Sequence, residues 1–134
     1  MKIQNYQLGA LYEAEFEAES LRRKFIPNRP TYPVSWDFLV DCPKGLLKVQ
    51  VKGTSSMGTD KSYKIMASTG SRVKKPIGDE VDVLACWIDP VRCWYIIPTS
   101  IKPTVTIRLF ASTNRSSSKY EKYRENWSPF YAHG

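Results

Sequence analysis

Residues 36–52 read WDFLVDCPKGLLKVQVK, two β-rich runs separated by Pro43-Lys44 and followed by Gly45, and this segment restricts the fold more than any other. Proline in the second place and glycine in the fourth of Cys42-Pro43-Lys44-Gly45 predict a tight turn, hence a β-hairpin. A turn of that length sets the register. With Cys42 opposite Gly45, Val40 faces Leu47, Phe38 faces Val49, Trp36 faces Val51 and Asp37 faces Gln50. One face of the hairpin is then wholly apolar. The other carries Asp37, Lys48 and Gln50, with Lys52 two residues further on and on the same side. A slip of one residue would mix the two faces, so the pattern supports its own register.

A carboxylate, an amide oxygen and an ammonium group on one face form a chemically specific set. Asp37, Gln50 and the backbone carbonyl of Val51 offer oxygen ligands to a hard cation, and Lys52 offers a positive charge to a nucleophile or to developing negative charge. Hydrolysis of a phosphodiester by water calls for these elements together.

Upstream, Leu11, Ala14, Ala18, Leu21 and Phe25 recur at spacings of three and four, which predicts an amphipathic helix over about Tyr6 to Lys24, ended by Pro27 and Pro30. Glu13 and Glu17 flank this stripe one turn apart. The order helix, acid, hairpin, then Gln50-Val51-Lys52 resembles the PD-(D/E)XK nuclease superfamily, and within it the branch with Gln-x-Lys that includes intron-associated homing endonucleases and proteins similar to Holliday-junction resolvases. The tail KYEKYRENW, Lys119 to Trp127, resembles the same branch. The resemblance implies a restriction-endonuclease-like α+β core, a central mixed sheet flanked by an N-terminal and a C-terminal helix. It implies catalytic Glu13, Asp37, Gln50 and Lys52, with Mg²⁺ held by Asp37, Gln50, Val51 and Glu13, and Mn²⁺ as a substitute. Glu17 is the reserve for Glu13. Two departures stand out: Gln50 is neutral where most members carry an acid, and Trp36 stands where the family has proline.

At 134 residues the chain is expected to form one domain over 1–134, able to bury a core without staples. Its 20 Lys and Arg against 13 Asp and Glu, a formal charge of +7, favour a polyanionic partner. Cys42, Cys86 and Cys93 lack CxxC spacing and the lone histidine is His133, which argues against zinc and against a disulfide framework. No signal peptide or membrane span is read, so a cytoplasmic protein is expected.

Beyond Lys52, residues 53–60 read as a loop, Ser62 to Ser68 as a strand with Tyr63, Ile65 and Ala67 on one side, Val81 to Ile88 and Cys93 to Pro98 as two apolar strands joined at Asp89-Pro90, and Thr104 to Phe110 as a short edge strand. Tyr120, Tyr123 and Trp127 at helical spacing predict a closing helix over Ser116 to Trp127, giving a helix, a β-meander and a helix. Trp87, Trp94 and Tyr95 are assigned to the core rather than to base stacking. Lys61, Lys64, Arg72, Lys74 and Lys75 are the candidate DNA contacts, positioned to track phosphates.

The sequence therefore predicts a Mg²⁺-dependent DNA endonuclease hydrolysing phosphodiester bonds by metal-activated water, homing-endonuclease-like or junction-resolvase-like, acting on duplex or branched DNA as a dimer or tetramer. The alternative is a DNA-binding or phage assembly protein that keeps the fold without catalysis, because Gln50 binds a cation less strongly than a carboxylate would.

Overall fold

The computed structural model describes residues 4–69, 75–76, 78, 80–113 and 118–132. Helix α1 spans Asn5–Arg22. Its start is tied by the Gln4 N–H, which donates to Gln7 Oε1 at 2.8 Å. Its end is a Schellman arrangement: the Phe25 N–H reaches the Ser20 carbonyl and the Lys24 N–H the Leu21 carbonyl, with Lys24 at φ 65° in the place glycine usually takes. The helix therefore stops before Pro27.

The buried face of α1 is Tyr12, Phe16 and Ser20, not the aliphatic stripe expected from spacing. Leu11 and Leu21 are exposed at 40% and 61%. Apolar residues lie on several sides of this helix, and the two aromatic rings, four residues apart, bury more surface than the leucines and set its rotation. Phe16 touches the rings of Phe38, Trp94, Trp127 and Phe130. Truncation of so buried a ring costs about 3–5 kcal/mol.

The strands are β1 (Ile26–Asn28), β2 (Phe38–Cys42), β3 (Gly45–Thr54), β4 (Tyr63–Met66), β5 (Ser68–Thr69), β6 (Lys75–Pro76), β7 (Val83–Ile88), β8 (Cys93–Pro98) and β9 (Thr106–Leu109). The main sheet has the order β1-β2-β3-β7-β8. The β2–β3 hairpin pairs Phe38 with Val49, Val40 with Leu47 and Cys42 with Gly45, the register read from the turn. Gly45 sits at φ 126°, which only glycine adopts readily. The β7–β8 hairpin is likewise as expected.

The sheet is mixed and not a meander, because β3 pairs with β7 in parallel, Val51 beside Ala85 and Lys52 beside Cys86. Parallel neighbours need a long crossover. Here it contains β4, β5 and β6; β4 leaves the main sheet to pair antiparallel with β9, and β5 pairs with β6. Strand β7 is buried throughout, as suits a central parallel strand covered on both faces.

Two cores result. On one face, Val83, Ala85 and Trp87 pack with Val49, Val51, Phe38 and the α1 rings. On the other, Leu84, Cys86 and Ile88 pack under Tyr63, Ile65, Ile107 and Leu109 of the β4–β9 ribbon. Trp87, Trp94, Tyr95 and Trp127 are all buried, as core packing requires.

The closing α-helix is absent from the described residues. Glu121–Tyr123 and Ser128–Phe130 are single 3₁₀ turns instead. Arg124 is extended and bridges to Tyr95, and Glu125 is left-handed at φ 49°. The Glu125 N–H donates to the Trp94 carbonyl while its carboxylate accepts the Trp94 N–H, so this segment caps the β8 edge. Tyr120 thereby reaches one core and Trp127 the other, which residues on one helix face would not do. Among the described residues no helix is long and apolar enough to cross a membrane.

Candidate active site

Regular β2 pairing ends at Phe38, and the site is built where it ends. The Asp37 N–H bonds the Val49 carbonyl at 2.8 Å, one residue short of the extrapolated ladder. Its carboxylate Oδ2 accepts the Val51 N–H at 2.7 Å. The expected pairs Asp37–Gln50 and Trp36–Val51 therefore do not form, and the one-residue shift moves Trp36 across the sheet, where it packs on the core beneath the β4–β9 ribbon. In a strand, the N–H and C=O of one residue point to the same edge, so the Val51 carbonyl also lies on the edge that β2 has left.

Gln50 and Lys52 alternate with buried Val49 and Val51 and lie on the Leu84–Cys86 side of the sheet. The Gln50 Nε2 donates to the Ser35 carbonyl at 3.2 Å, which orients the amide, and its Oε1 is buried without a hydrogen-bond partner among the described residues. Asp37 is partly buried. Desolvation pushes its carboxyl above the ordinary value of 3.8; the Val51 N–H opposes this, Glu13 adds to it, and the Lys52 and Arg29 charges oppose it. Asp37 thus senses Glu13, Lys52 and Arg29 at once.

Glu13 reaches this edge because Tyr12 turns inward. The Tyr12 ring lies flat on Gly53, where a Cβ would come within 2.6 Å of its Cγ, and its hydroxyl meets Ser55 Oγ at 2.5 Å. Tyr12 precedes Glu13 and Gly53 follows Lys52, so this contact ties the two candidate residues together. Glu17 is one turn away and pairs with Arg29 at 3.3 Å, whereas Glu13 pairs with the same guanidinium at 2.8 Å.

The sequence model of the family described as PD-(D/E)XK endonuclease matches residues 4–130. The chain belongs to the PD-(D/E)XK endonuclease family. No curated protein matches it by sequence. A bacterial homing endonuclease of known structure superposes with a TM-score of 0.79 at 18% identity, over 96% of this chain and 91% of that one. At that identity the likeness establishes the restriction-endonuclease-like fold. Family membership makes the protein a nuclease.

Whether this PD-(D/E)XK protein's residues suit a divalent cation can be judged from their donors. Among the described residues no three His, Cys, Asp or Glu side chains cluster as a metal site. The donors near Asp37 are instead two carboxylates, a backbone carbonyl and an amide oxygen, all of them oxygen, which suits a hard cation. A buried Gln50 Oε1 that no described donor meets is costly unless a donor or a cation reaches it, and a hard cation is compatible with this oxygen set.

Of the candidate DNA contacts, Lys61 and Lys64 are exposed, Lys64 on the outer face of β4. Arg72 and Lys74 lie outside the described residues, and for Lys75 only the β6 backbone is described. Sequence reasoning missed Arg108, which stands directly across from Lys64. It also missed Arg29 and Tyr12. An arginine between Pro27 and Pro30, immediately ahead of the hairpin, was a usable signal for the former, and the four-residue spacing of Tyr12 and Phe16 was one for the latter.

Proposed function

We propose that this nuclease is a divalent-cation-dependent endodeoxyribonuclease, with Mg²⁺ as the ion and Mn²⁺ able to replace it. Asp37, Gln50 Oε1, the Val51 carbonyl and Glu13 hold the ion. When bound, the ion supplies Lewis-acid stabilisation of charge on the phosphate. The orphaned Gln50 Oε1 beside the Asp37–Val51 contact carries this reading.

Asp37 is oriented by the Val51 N–H through Oδ2, and its other oxygen would be the one to meet the ion. Gln50 is oriented by Ser35 in the same way. Lys52 holds its ammonium where negative charge grows on the phosphate as a water oxygen forms the new P–O bond and the bond to the leaving oxygen breaks. The proton lost by the water passes to solvent and the leaving oxygen takes one up. Lys61, Lys64 and Arg108, with Arg72, Lys74 and Lys75, contact phosphates and position the duplex without reading it.

A homing-type target is favoured over a four-way junction by the Gln-x-Lys pattern and by the likeness in fold to a bacterial homing endonuclease. Cutting both strands with a chain of this size calls for a dimer or tetramer. The test is cleavage of a plasmid and of a four-way junction with Mg²⁺ or with EDTA, alongside Lys52→Ala. Mg²⁺-dependent cutting that falls by at least about 10²-fold in the folded variant is expected. DNA binding indifferent to Mg²⁺ and to Lys52→Ala, without cutting, would point to a non-catalytic DNA-binding protein, a reading that the neutral Gln50 keeps in view.

A further inference from the structure

Arg29 holds the carboxylate that the ion would need. Its guanidinium forks between Glu13 at 2.8 Å and Glu17 at 3.3 Å, with its central carbon 4.6 Å from the centre of the Phe38 ring. The backbone that presents it is stiff. Pro27 and Pro30 flank it, β1 pairs with β2, and Asn28 Nδ2 donates to the Leu39 carbonyl at 3.0 Å. Phe38 follows Asp37 directly, so the cation–π partner of Arg29 is joined to the central carboxylate of the site.

We propose that Arg29 is an internal counter-cation that occupies Glu13 in the ion-free protein and competes with the divalent cation for that carboxylate. The inference rests on the preceding reading that Glu13 belongs to the ion's ligand set. Without a positive group, Glu13 and Asp37 repel each other, as the upward push of Glu13 on the Asp37 carboxyl reflects. Arg29 relieves that repulsion. An ion that takes Glu13 must displace one arm of the fork, while the other arm keeps Glu17 and the guanidinium keeps the Phe38 face. Glu17 is thus the alternative seat of Arg29 and not a ligand, and the division of Arg29 between two glutamates sets how readily Glu13 is released.

Two variants should therefore act in opposite directions. Removal of Arg29 frees Glu13 and tightens cation binding. Removal of the Glu17 charge concentrates Arg29 on Glu13 and weakens cation binding, but only while Arg29 is present. A residue that merely braces the fold produces no such sign reversal.

The experiment is calorimetric titration of the full chain with Ca²⁺, on wild type, Arg29→Met, Glu17→Gln, the double variant and Asp37→Asn, with circular dichroism to check folding. Arg29→Met is expected to bind Ca²⁺ about fivefold tighter or more, Glu17→Gln more weakly, and the Glu17→Gln effect is expected to vanish in the Arg29→Met background. Arg29→Lys keeps the charge without the fork and gives a second route if Arg29→Met does not fold; intermediate affinity is expected. Unchanged or weaker binding in the folded Arg29 variants, or an equal Glu17→Gln loss in both backgrounds, would overturn the inference while leaving the site intact. Ca²⁺ binding that Asp37→Asn does not diminish would instead overturn the site reading and the inference with it.

Discussion

The carboxylate of Asp37 accepts the backbone N–H of Val51 at 2.7 Å, so the acid of the hairpin is held by the main chain of the strand that carries Gln50 and Lys52. This bond takes the place of a ladder hydrogen bond that β2 no longer makes. It leaves the acid partly buried, and that burial, with the Glu13 charge beside it, raises its pKa against the opposing pull of the Val51 N–H, Lys52 and Arg29.

The raised carboxyl makes stability depend on pH. A folded pKa above the unfolded value contributes stability that is fully present below 3.8 and is lost as the pH rises through the folded pKa. At neutral pH the charge of Asp37 therefore costs stability in the ion-free protein. Asp37→Asn, whose amide oxygen still accepts the Val51 N–H, is expected to melt at a higher temperature than wild type at neutral pH, with the gain shrinking toward acid. Melts from about pH 3 to about pH 8 check it. A gain that grows toward acid would contradict the sign.

Gln50 Oε1 predicts its own replacement phenotype. Gln50→Glu adds a third carboxylate, so Ca²⁺ binding should tighten by about tenfold or more, since charge count tunes oxygen-ligand sites. In EDTA the same variant should lose about 1–3 kcal/mol, because the added charge has no partner, and Ca²⁺ should restore its melting temperature. Calorimetry and thermal melts measure both. Unaltered Ca²⁺ affinity would remove Gln50 from the ligand set.

Gly53 is required by Tyr12. Gly53→Ala drives a methyl into the ring and should cost about 1–3 kcal/mol, a penalty that a smaller residue at position 12, as in Tyr12→Leu, relieves. Cleavage should fall further than stability, because the ring sets the position of Glu13. Urea melts of the single and double variants, read beside cleavage rates, separate the two effects. An additive double variant would show that the ring is free to move aside.

Lys64 and Arg108 face each other across the β4–β9 ribbon, and like charges in that relation destabilise a sheet. Asp60 offsets part of this through Arg108 at 3.2 Å. Lys64→Ala should stabilise the protein by about 0.2–1 kcal/mol while weakening DNA binding and lowering the salt slope by about 1. Salt-dependent binding measurements test it. An unchanged slope would place the duplex elsewhere.

The β2–β3 hairpin was legible because its turn chemistry and its apolar alternation agree, and both are local. The same is true of the β7–β8 hairpin and of the buried side of β4, whose alternation is uninterrupted. Asp37, Gln50 and Lys52 could be named because they sit on or beside that hairpin, where counting residues counts faces. Glu13 could be named only through family resemblance. The α1 stripe misled because Tyr12 and Phe16 compete with the leucines for the core, and only the shape of the sheet decides which side wins. Aromatic spacing at Tyr120, Tyr123 and Trp127 misled for a related reason: residues that serve two cores across a strand edge can imitate a helix repeat.

What the sequence determined by itself is what near neighbours in the chain enforce: the hairpin register from Cys42 to Gly45, the parity that separates Val49 and Val51 from Gln50 and Lys52, and the excess of positive charge. Only the tertiary structure decided the parallel union of β3 with β7, the shift at Asp37 that hands its carboxylate to Val51, and the grip of Arg29 on Glu13. Each of these joins residues far apart in the chain or depends on where a strand stops pairing, and no local propensity carries that information.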